Sequence, residues 1–303
     1  INIAIVHSIF NITTTLWMLP FSDKLVALSK VIVREEDDGS RVSADEMAET
    51  LRLMDERFLS RPAVAVEQAR RVLNKMMETA TDALQMSFGL LSEFDLMIHQ
   101  EVEILEQQVD TYEDRLSEYC AKILGKELRD QDSQSLTFIL HAINDIERIS
   151  DHAITIADQG KKKSGTDQFF SAQAMEDISL YLQAVNEIAV RTQAVVKDPH
   201  RENLPYIEPL EDRINEIHQS MTHNHIDRLK HEQCTMENGM IISEIYNNLE
   251  RVADHCSNLG LYRIQFPIEQ YRTHEYQAQF DRSDEHYQQI YQNYVLTYPL
   301  SGM

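Results

Sequence analysis

The sequence predicts an all-α protein built from two tandem three-helix bundles. Its 303 residues include only 8 glycines and 7 prolines, whereas all-β and doubly wound α/β folds need turn residues at short intervals. From residue 62 onward, apolar residues recur at spacings of three and four, which is typical of amphipathic helices. This pattern occurs over three segments and then over three more, so we expect a duplicated three-helix unit.

The opening stretch, residues 1–33, predicts a terminal transmembrane helix fragment that ends a membrane-embedded transport domain. Residues 1–21 contain no acid, lysine or arginine and are long enough, as a helix, to cross a hydrocarbon core of about 30 Å. Trp17 and Pro20 stand where an interfacial aromatic and a helix stop are expected. A buried core helix of a soluble protein is the alternative. Residues 34–61 begin with a charged run and are expected to form a linker.

The first predicted bundle, residues 62–160, contains three amphipathic helices. The apolar period places them over residues 62–91, 96–124 and 132–158. A lysine- and glycine-containing segment, residues 158–168, is expected to be the loop that closes this bundle.

The second predicted bundle, residues 161–262, repeats the arrangement with helices near residues 171–197, 204–232 and 235–261. A tail, residues 263–303, follows. Its four tyrosines at helical spacing indicate a last helix that docks on the bundle or on a second chain. These tyrosines are Tyr287, Tyr291, Tyr294 and Tyr298.

An internal repeat is visible in the residues themselves. The segment Asn144–His152, NDIERISDH, returns 103 positions later as Asn247–His255, NNLERVADH, with five identical positions. Self-similarity at a fixed distance is the signature of a duplicated structural unit.

The repeated segments carry paired carboxylates that suggest a metal site. A glutamate and an aspartate four residues apart lie on one face of a helix, and two helices that each offer such a pair can hold a hard cation. Ion pairs with Arg148 and Arg251 are the alternative way to neutralise these acids. Asn215 replaces an aspartate in the second copy and weakens the second site. The candidate ligands are Glu106, Asp110, Glu147 and Asp151 in the first copy, and Glu211, Glu250 and Asp254 in the second.

Histidines and cysteines are less informative. His152 and His255 follow the aspartates and are expected to be packed, hydrogen-bonded side chains, with metal ligation as the alternative. The irregularly spaced histidines of the fifth helix are expected at the surface; they are His218, His223, His225 and His231. The three cysteines form no CxxC pair, so neither a zinc knuckle nor a disulfide framework is indicated.

The net charge and the absence of known catalytic motifs exclude several classes of function. The net charge of −22 would repel phosphate backbones, so nucleic acid is not an expected partner. No nucleophile elbow, phosphate-binding loop, dinucleotide fingerprint or kinase signature is present. We therefore expect a protein that is not an enzyme.

The two motifs that close the three-helix units resemble the PhoU family of bacterial phosphate regulation, over residues 62–261. The resemblance implies multinuclear sites for divalent or ferric metal ions, lined by the matching pairs Glu106 and Asp110, Glu147 and Asp151, and Glu250 and Asp254. It also implies phosphate-signalling partner proteins or a homo-oligomer.

The order of segments resembles a second family, the bacterial Na/Pi cotransporters. Residues 7–21 are followed by a charged linker and then by residues 53–71, which lead into the PhoU-like unit. This resemblance implies a plasma-membrane protein that transports sodium and phosphate, with this chain as its cytoplasmic regulatory end. The alternative is a PhoU-type regulator without transport activity of its own.

Overall fold

The computed structural model describes residues 46–165, 170–197, 202–266 and 282–300, and within these ranges every regular element is a helix. The predicted all-α class is therefore confirmed. The predicted membrane segment, residues 1–33, lies outside the described residues. Among the helices that the structure does describe, none is long and apolar enough to span a bilayer.

The helices form two units of three. The first unit consists of α1 (Pro62–Ser92), α2 (Leu96–Leu124) and α3 (Asp130–Ser164). The second consists of α4 (Ala172–Lys197), α5 (Ile207–Lys230) and α6 (Met236–Gln265). Short 3-10 turns at Glu56–Ser60 and Leu204–Tyr206 precede α1 and α5, and α7 (Glu285–Thr297) follows the bundles.

Local signals set several helix starts. Pro62 occupies the first turn of α1, where its missing N–H costs nothing. Asp95 caps α2 by accepting a hydrogen bond from the Met97 N–H at 2.7 Å, and Thr235 caps α6. The buried faces of these helices carry mainly apolar side chains and form one continuous core.

The two units meet through α3 against α6 and α1 against α4. At the centre of the α3–α6 contact, His152 Nδ1 lies 2.7 Å from Asn248 Oδ1, and His255 Nδ1 lies 2.6 Å from Asp145 Oδ1. Asn248 is the repeat counterpart of Asp145, and His255 is the repeat counterpart of His152. Each histidine therefore contacts, on the other helix, the same position of the repeat. Such reciprocal contacts are what a two-fold relation between the units produces.

Helix α3 is longer than predicted. It continues to Ser164 through much of the segment predicted as a loop, residues 158–168. Gln159 and Gly160 are buried there, because α3 packs against the end of α1. The last turn of α3 contains Lys161, Lys162 and Lys163, whose positive charges interact favourably with the negative end of the helix dipole. Packing against α1 thus keeps this segment helical, although its glycine and lysines are typical of a loop.

Part of the predicted linker is folded. Residues 46–51 are helical and Glu56–Ser60 form a 3-10 turn. Apolar side chains of this segment, including Met47, Leu51 and Phe58, pack against the core. Lys122 on α2 holds the segment by an ion pair of 2.8 Å with Glu56. Residues 47–61 therefore pack on the first three-helix unit and are not a solvated connection.

The last helix docks on the bundle of its own chain. Tyr287 Oη donates to Asp212 Oδ2 on α5 at 2.5 Å, and Tyr298 Oη donates to Glu187 Oε2 on α4 at 2.6 Å. The buried Arg213 side chain donates from Nε to the Tyr298 carbonyl at 3.1 Å. The tyrosine spacing seen in the sequence therefore serves to bind carboxylates on α4 and α5.

Candidate metal centre

Three carboxylates of the first unit converge where α2 faces α3. Glu106 and Asp110 lie one turn apart on α2, and Asp151 lies opposite on α3; one oxygen from each falls within 4.8 Å of the other two. Asp110 is exposed, and the other two are partly buried. The arrangement offers three oxygen ligands that are open to solvent on one side.

Burial and the neighbouring negative charges raise the pKa of the two acids on α2. Burial, followed by the charges of Asp110 and Asp151, raises the pKa of Glu106. Burial, followed by the charge of Asp151, raises the pKa of Asp110. Among the described residues, no lysine or arginine forms an ion pair with Glu106 or Asp110. A cation bound among the three oxygens would remove this repulsion.

Glu147 stands apart from the three-carboxylate group. Its side chain is only 14% exposed, and burial, followed by the charge of Asp151, raises its pKa to about 7. Arg148 reaches both acids of the motif, with Nε 3.2 Å from Glu147 Oε2 and Nη1 2.9 Å from Asp151 Oδ2. On α3, the ion pairing with Arg148 predicted as the alternative to metal is therefore present, and it includes Asp151 of the three-carboxylate group.

Glu113 lies on the same face of α2 as Glu106 and Asp110, and together they form an acidic face. The sequence-based prediction did not include Glu113. Burial, followed by the charges of Asp114 and Asp110, raises its pKa, and its charge contributes to the raised pKa of Glu147. The signal was available in the sequence, because Glu113 follows Asp110 by three residues and so shares its helix face.

The second unit does not repeat the three-carboxylate group within the part of the chain that the structure describes. Asn215 donates a hydrogen bond of 2.5 Å to Glu211 Oε1. His218, the counterpart of Glu113, places Nδ1 3.2 Å from the hydroxyl of the buried Tyr181. The amide of Asn215 and the imidazole of His218 thus stand where the first unit has Asp110 and Glu113. The corresponding face of α5 is therefore less acidic than that of α2.

Glu250 and Asp254 remain as an acidic pair on α6. Burial, followed by the charge of Glu250, raises the pKa of Asp254, while His255 and Arg251 oppose the rise. The charges of both acids add to the effect of burial on Tyr181, whose pKa is raised well above its usual value. Glu211 approaches this pair closely enough for Asp254 to contribute to its raised pKa.

The histidines divide between packed and exposed positions. His152 and His255 use their Nδ1 atoms across the α3–α6 contact, as expected for packed side chains. The surface prediction is wrong for His225, which is 2% exposed with Nε2 3.1 Å from the Gly239 carbonyl. It is also wrong for the partly buried His218. Both fall on the inward face of α5, whereas His223 and His231 are exposed.

A family model matches this chain twice. The PhoU domain model aligns with residues 73–159 and again with residues 178–262, which together make up more than half of the chain. This chain belongs to the PhoU domain family. Each match begins within the first helix of one unit and ends within the third, so the family's repeat coincides with the three-helix unit.

Individual PhoU proteins are distant in sequence but similar in fold. A protein of Deinococcus radiodurans, named phosphate-specific transport system accessory protein PhoU homolog, is 21% identical over 161 residues, covering 53% of this chain and 74% of that protein. The crystal structure of PhoU from Pseudomonas aeruginosa is 17% identical and superposes with a TM-score of 0.61, covering 66% of this chain and 95% of that one.

A second solved structure is similar. The phosphate transport system regulatory protein PhoU from Streptococcus pneumoniae is 16% identical and has a TM-score of 0.57, covering 68% of this chain and 96% of that one. At these identities, the structural similarity establishes the PhoU fold alone.

In the absence of metal, Glu211 is expected to make the second unit less stable as pH rises from about 4.5 to about 7. Burial, followed by the charge of Glu208, raises the pKa of Glu211 from 4.5 to about 7. In this interval the folded chain binds more protons than the unfolded chain, so the contribution of this residue to stability is lost as pH rises. Glu211→Gln should therefore lose less stability than wild type over the interval.

The measurement is thermal unfolding in chelator at a series of pH values. Glu176→Gln, which changes an exposed glutamate on α4, is the matched control and should follow wild type. Parallel pH profiles for wild type and Glu211→Gln would contradict the prediction.

Proposed function

We propose that this chain is a PhoU-type regulator of phosphate signalling, without transport activity of its own. The observation that carries this proposal is the match of the PhoU domain model to both three-helix units. Two of the similar proteins are named as an accessory protein and a regulatory protein of phosphate transport systems, which supports the same role. The chain acts by contacts of its helix faces with phosphate-signalling partner proteins and not as an enzyme.

The proposal includes a hard cation at the three-carboxylate group of the first unit. Glu106, Asp110 and Asp151 supply only oxygen donors, which suit a divalent metal of the magnesium or manganese type, or ferric iron. The closeness of these carboxylates favours a cation between them on electrostatic grounds. When bound, the cation supplies positive charge that ties α2 to α3, so metal binding would stiffen the first unit.

A second candidate function is the cytoplasmic end of a sodium-dependent phosphate cotransporter. The apolar residues 1–21 favour it, but the findings on the PhoU units support the regulator more strongly. In this candidate the chain is attached to the plasma membrane, and an upstream domain transports sodium and phosphate.

A bacterial strain that lacks its own PhoU protein separates the two candidates. The full chain is expressed in this strain together with a reporter that responds to external phosphate. The regulator is expected to restore the phosphate response of the reporter without changing the uptake of labelled phosphate in a strain deprived of its phosphate transporters. Sodium-dependent uptake would favour the cotransporter, and a folded, expressed chain that restores neither activity would contradict the regulator.

Metal is expected to raise the melting temperature of the chain. A ligand that binds only the folded state stabilises it by mass action, so Mn²⁺ should raise the melting temperature and a chelator should lower it. Asp151→Asn should remove most of this response, whereas Asp254→Asn, its counterpart in the second unit, should remove little. Differential scanning calorimetry of the three proteins checks this prediction. Identical curves with Mn²⁺ and with chelator would leave Arg148 as the neutralising charge.

A further inference from the structure

A polar cavity of about 240 Å³ lies where the start of α4, the end of α5 and the start of α6 meet. Its walls include Ser171 before α4, Arg228 in the last turn of α5, and Thr235 and Asn238 at the start of α6. None of its lining residues is a carboxylate of the candidate metal centre. The cavity is therefore a separate feature of the second unit.

Arg228 brings a buried positive charge to this cavity. The residue is 8% exposed, and its Nη1 donates to Asp177 Oδ2 at 2.8 Å. Its Nε and Nη2 are buried and form no hydrogen bond of good geometry among the residues that the structure describes, although the Tyr246 hydroxyl, whose pKa is raised by burial, lies close enough to the guanidinium for Arg228 to oppose that rise. These two nitrogens form one edge of the planar guanidinium, the edge that binds paired oxygens of a carboxylate or phosphate. Buried donors of this kind normally have partners.

Two helix starts reinforce the charge. The first N–H groups of a helix have no intrahelical acceptor, and the helix dipole favours negative charge there. Ser171 Oγ accepts from the Ala174 N–H at 3.2 Å, and Thr235 Oγ1 accepts from the Asn238 N–H at 3.3 Å. These caps leave the N–H groups of the first two residues of α4 and of α6 without an acceptor inside their helices. The capping residues Ser171 and Thr235 line the cavity, so the starts of both helices lie at its wall.

Glu232 opposes the charge of Arg228. It lines the cavity between α5 and α6, and its backbone has a φ of 58°, the one positive value at a non-glycine position in the described ranges. Asp177 also neutralises part of the guanidinium charge. The balance of charges therefore predicts that removing the acid of Glu232 strengthens the attraction for an anion.

We propose that this cavity binds a small oxyanion, with two of its oxygens on the Nε and Nη2 edge of Arg228 and the starts of α4 and α6 beside it. The site rests on the guanidinium and the helix ends, and it does not depend on the proposed regulatory function. Tetrahedral oxyanions and carboxylates share the paired oxygens that this edge recognises.

The probe is inorganic phosphate, titrated calorimetrically into the full chain in chelator, so that metal-bound phosphate does not contribute. Sulfate and acetate are titrated in parallel, and sodium chloride at equal ionic strength is the control. Saturable binding of phosphate, sulfate or acetate, absent with chloride, supports the proposal; the comparison among them identifies a tetrahedral or a carboxylate ligand. No saturable binding of any of the three overturns it.

Two variants assign the binding to this cavity. Asp177→Asn combined with Arg228→Gln removes both charges together, which avoids leaving one of them buried alone, and should weaken binding by at least tenfold. Glu232→Gln should bind several-fold more tightly than wild type. Circular dichroism confirms that each variant is folded. Wild-type affinity in the double variant, or weaker binding by Glu232→Gln, would place the anion elsewhere and overturn the assignment.

Discussion

The Arg228→Met variant is expected to unfold with a free energy about 3–5 kcal/mol below that of wild type. Asp177 is 0% exposed, and its closest charged partner is the Arg228 guanidinium at 2.8 Å. Methionine fills part of the space but leaves the Asp177 carboxylate buried without a positive charge. The other hydrogen bond to this carboxylate, from Gln173 Nε2 at 3.3 Å, is too long to compensate.

The matched control is the double variant Asp177→Asn with Arg228→Met. Because both charges are absent, its loss of stability should be clearly smaller than that of Arg228→Met alone. Urea unfolding followed by circular dichroism measures both losses. If the double variant is as unstable as the single one, the loss arises from packing at Arg228 and not from the isolated charge.

Gly160→Ala is expected to destabilise the first unit by about 1–3 kcal/mol, although alanine is the better helix former. Gly160 lies in α3 against the end of α1, and a Cβ at this position would lie 2.6 Å from the Leu90 carbonyl oxygen and 2.9 Å from its carbon. Both atoms belong to the backbone, so the two helices must move apart and their contacts must loosen.

Gly89→Ala provides the control within α1. A Cβ at Gly89 meets no atom within 4 Å, so the substitution should be neutral or should stabilise the chain by up to about 1 kcal/mol. The melting temperatures of the two variants should therefore shift in opposite directions or differ clearly in size. Equal effects of Gly89→Ala and Gly160→Ala would contradict the close approach of α1 and α3.

Periodicity predicted the six bundle helices because their apolar stripes are long and regular. Their order and approximate bounds agree with the structure, since each stripe must be buried by its neighbours. The end of α3 was missed because Gly160 and three successive lysines resemble a loop. Only the partner helix α1 shows why a glycine is needed there, and the sequence of α3 alone does not contain that information.

For the acidic face, sequence spacing placed Glu106, Asp110 and Asp151 on faces that the structure brings together. The sequence offered Arg148 as a partner for these acids, but spacing could not show that Glu147 lies outside the three-carboxylate group, because this depends on side-chain direction. The burial of His225 was also missed, because a polar side chain does not belong to the apolar pattern. His225 nevertheless follows Met221 by four residues and so lies on the same buried face of α5.

The proposed hard cation at Glu106, Asp110 and Asp151 requires that the first unit bind metal and that the second unit bind none at the equivalent position. The most direct test is to titrate Mn²⁺ into the chain and measure the free ion by electron paramagnetic resonance. We expect saturable binding in wild type, retained binding in Asp254→Asn and lost binding in Asp151→Asn. Absence of binding in wild type, or equal binding by Asp151→Asn and wild type, would contradict the proposed site.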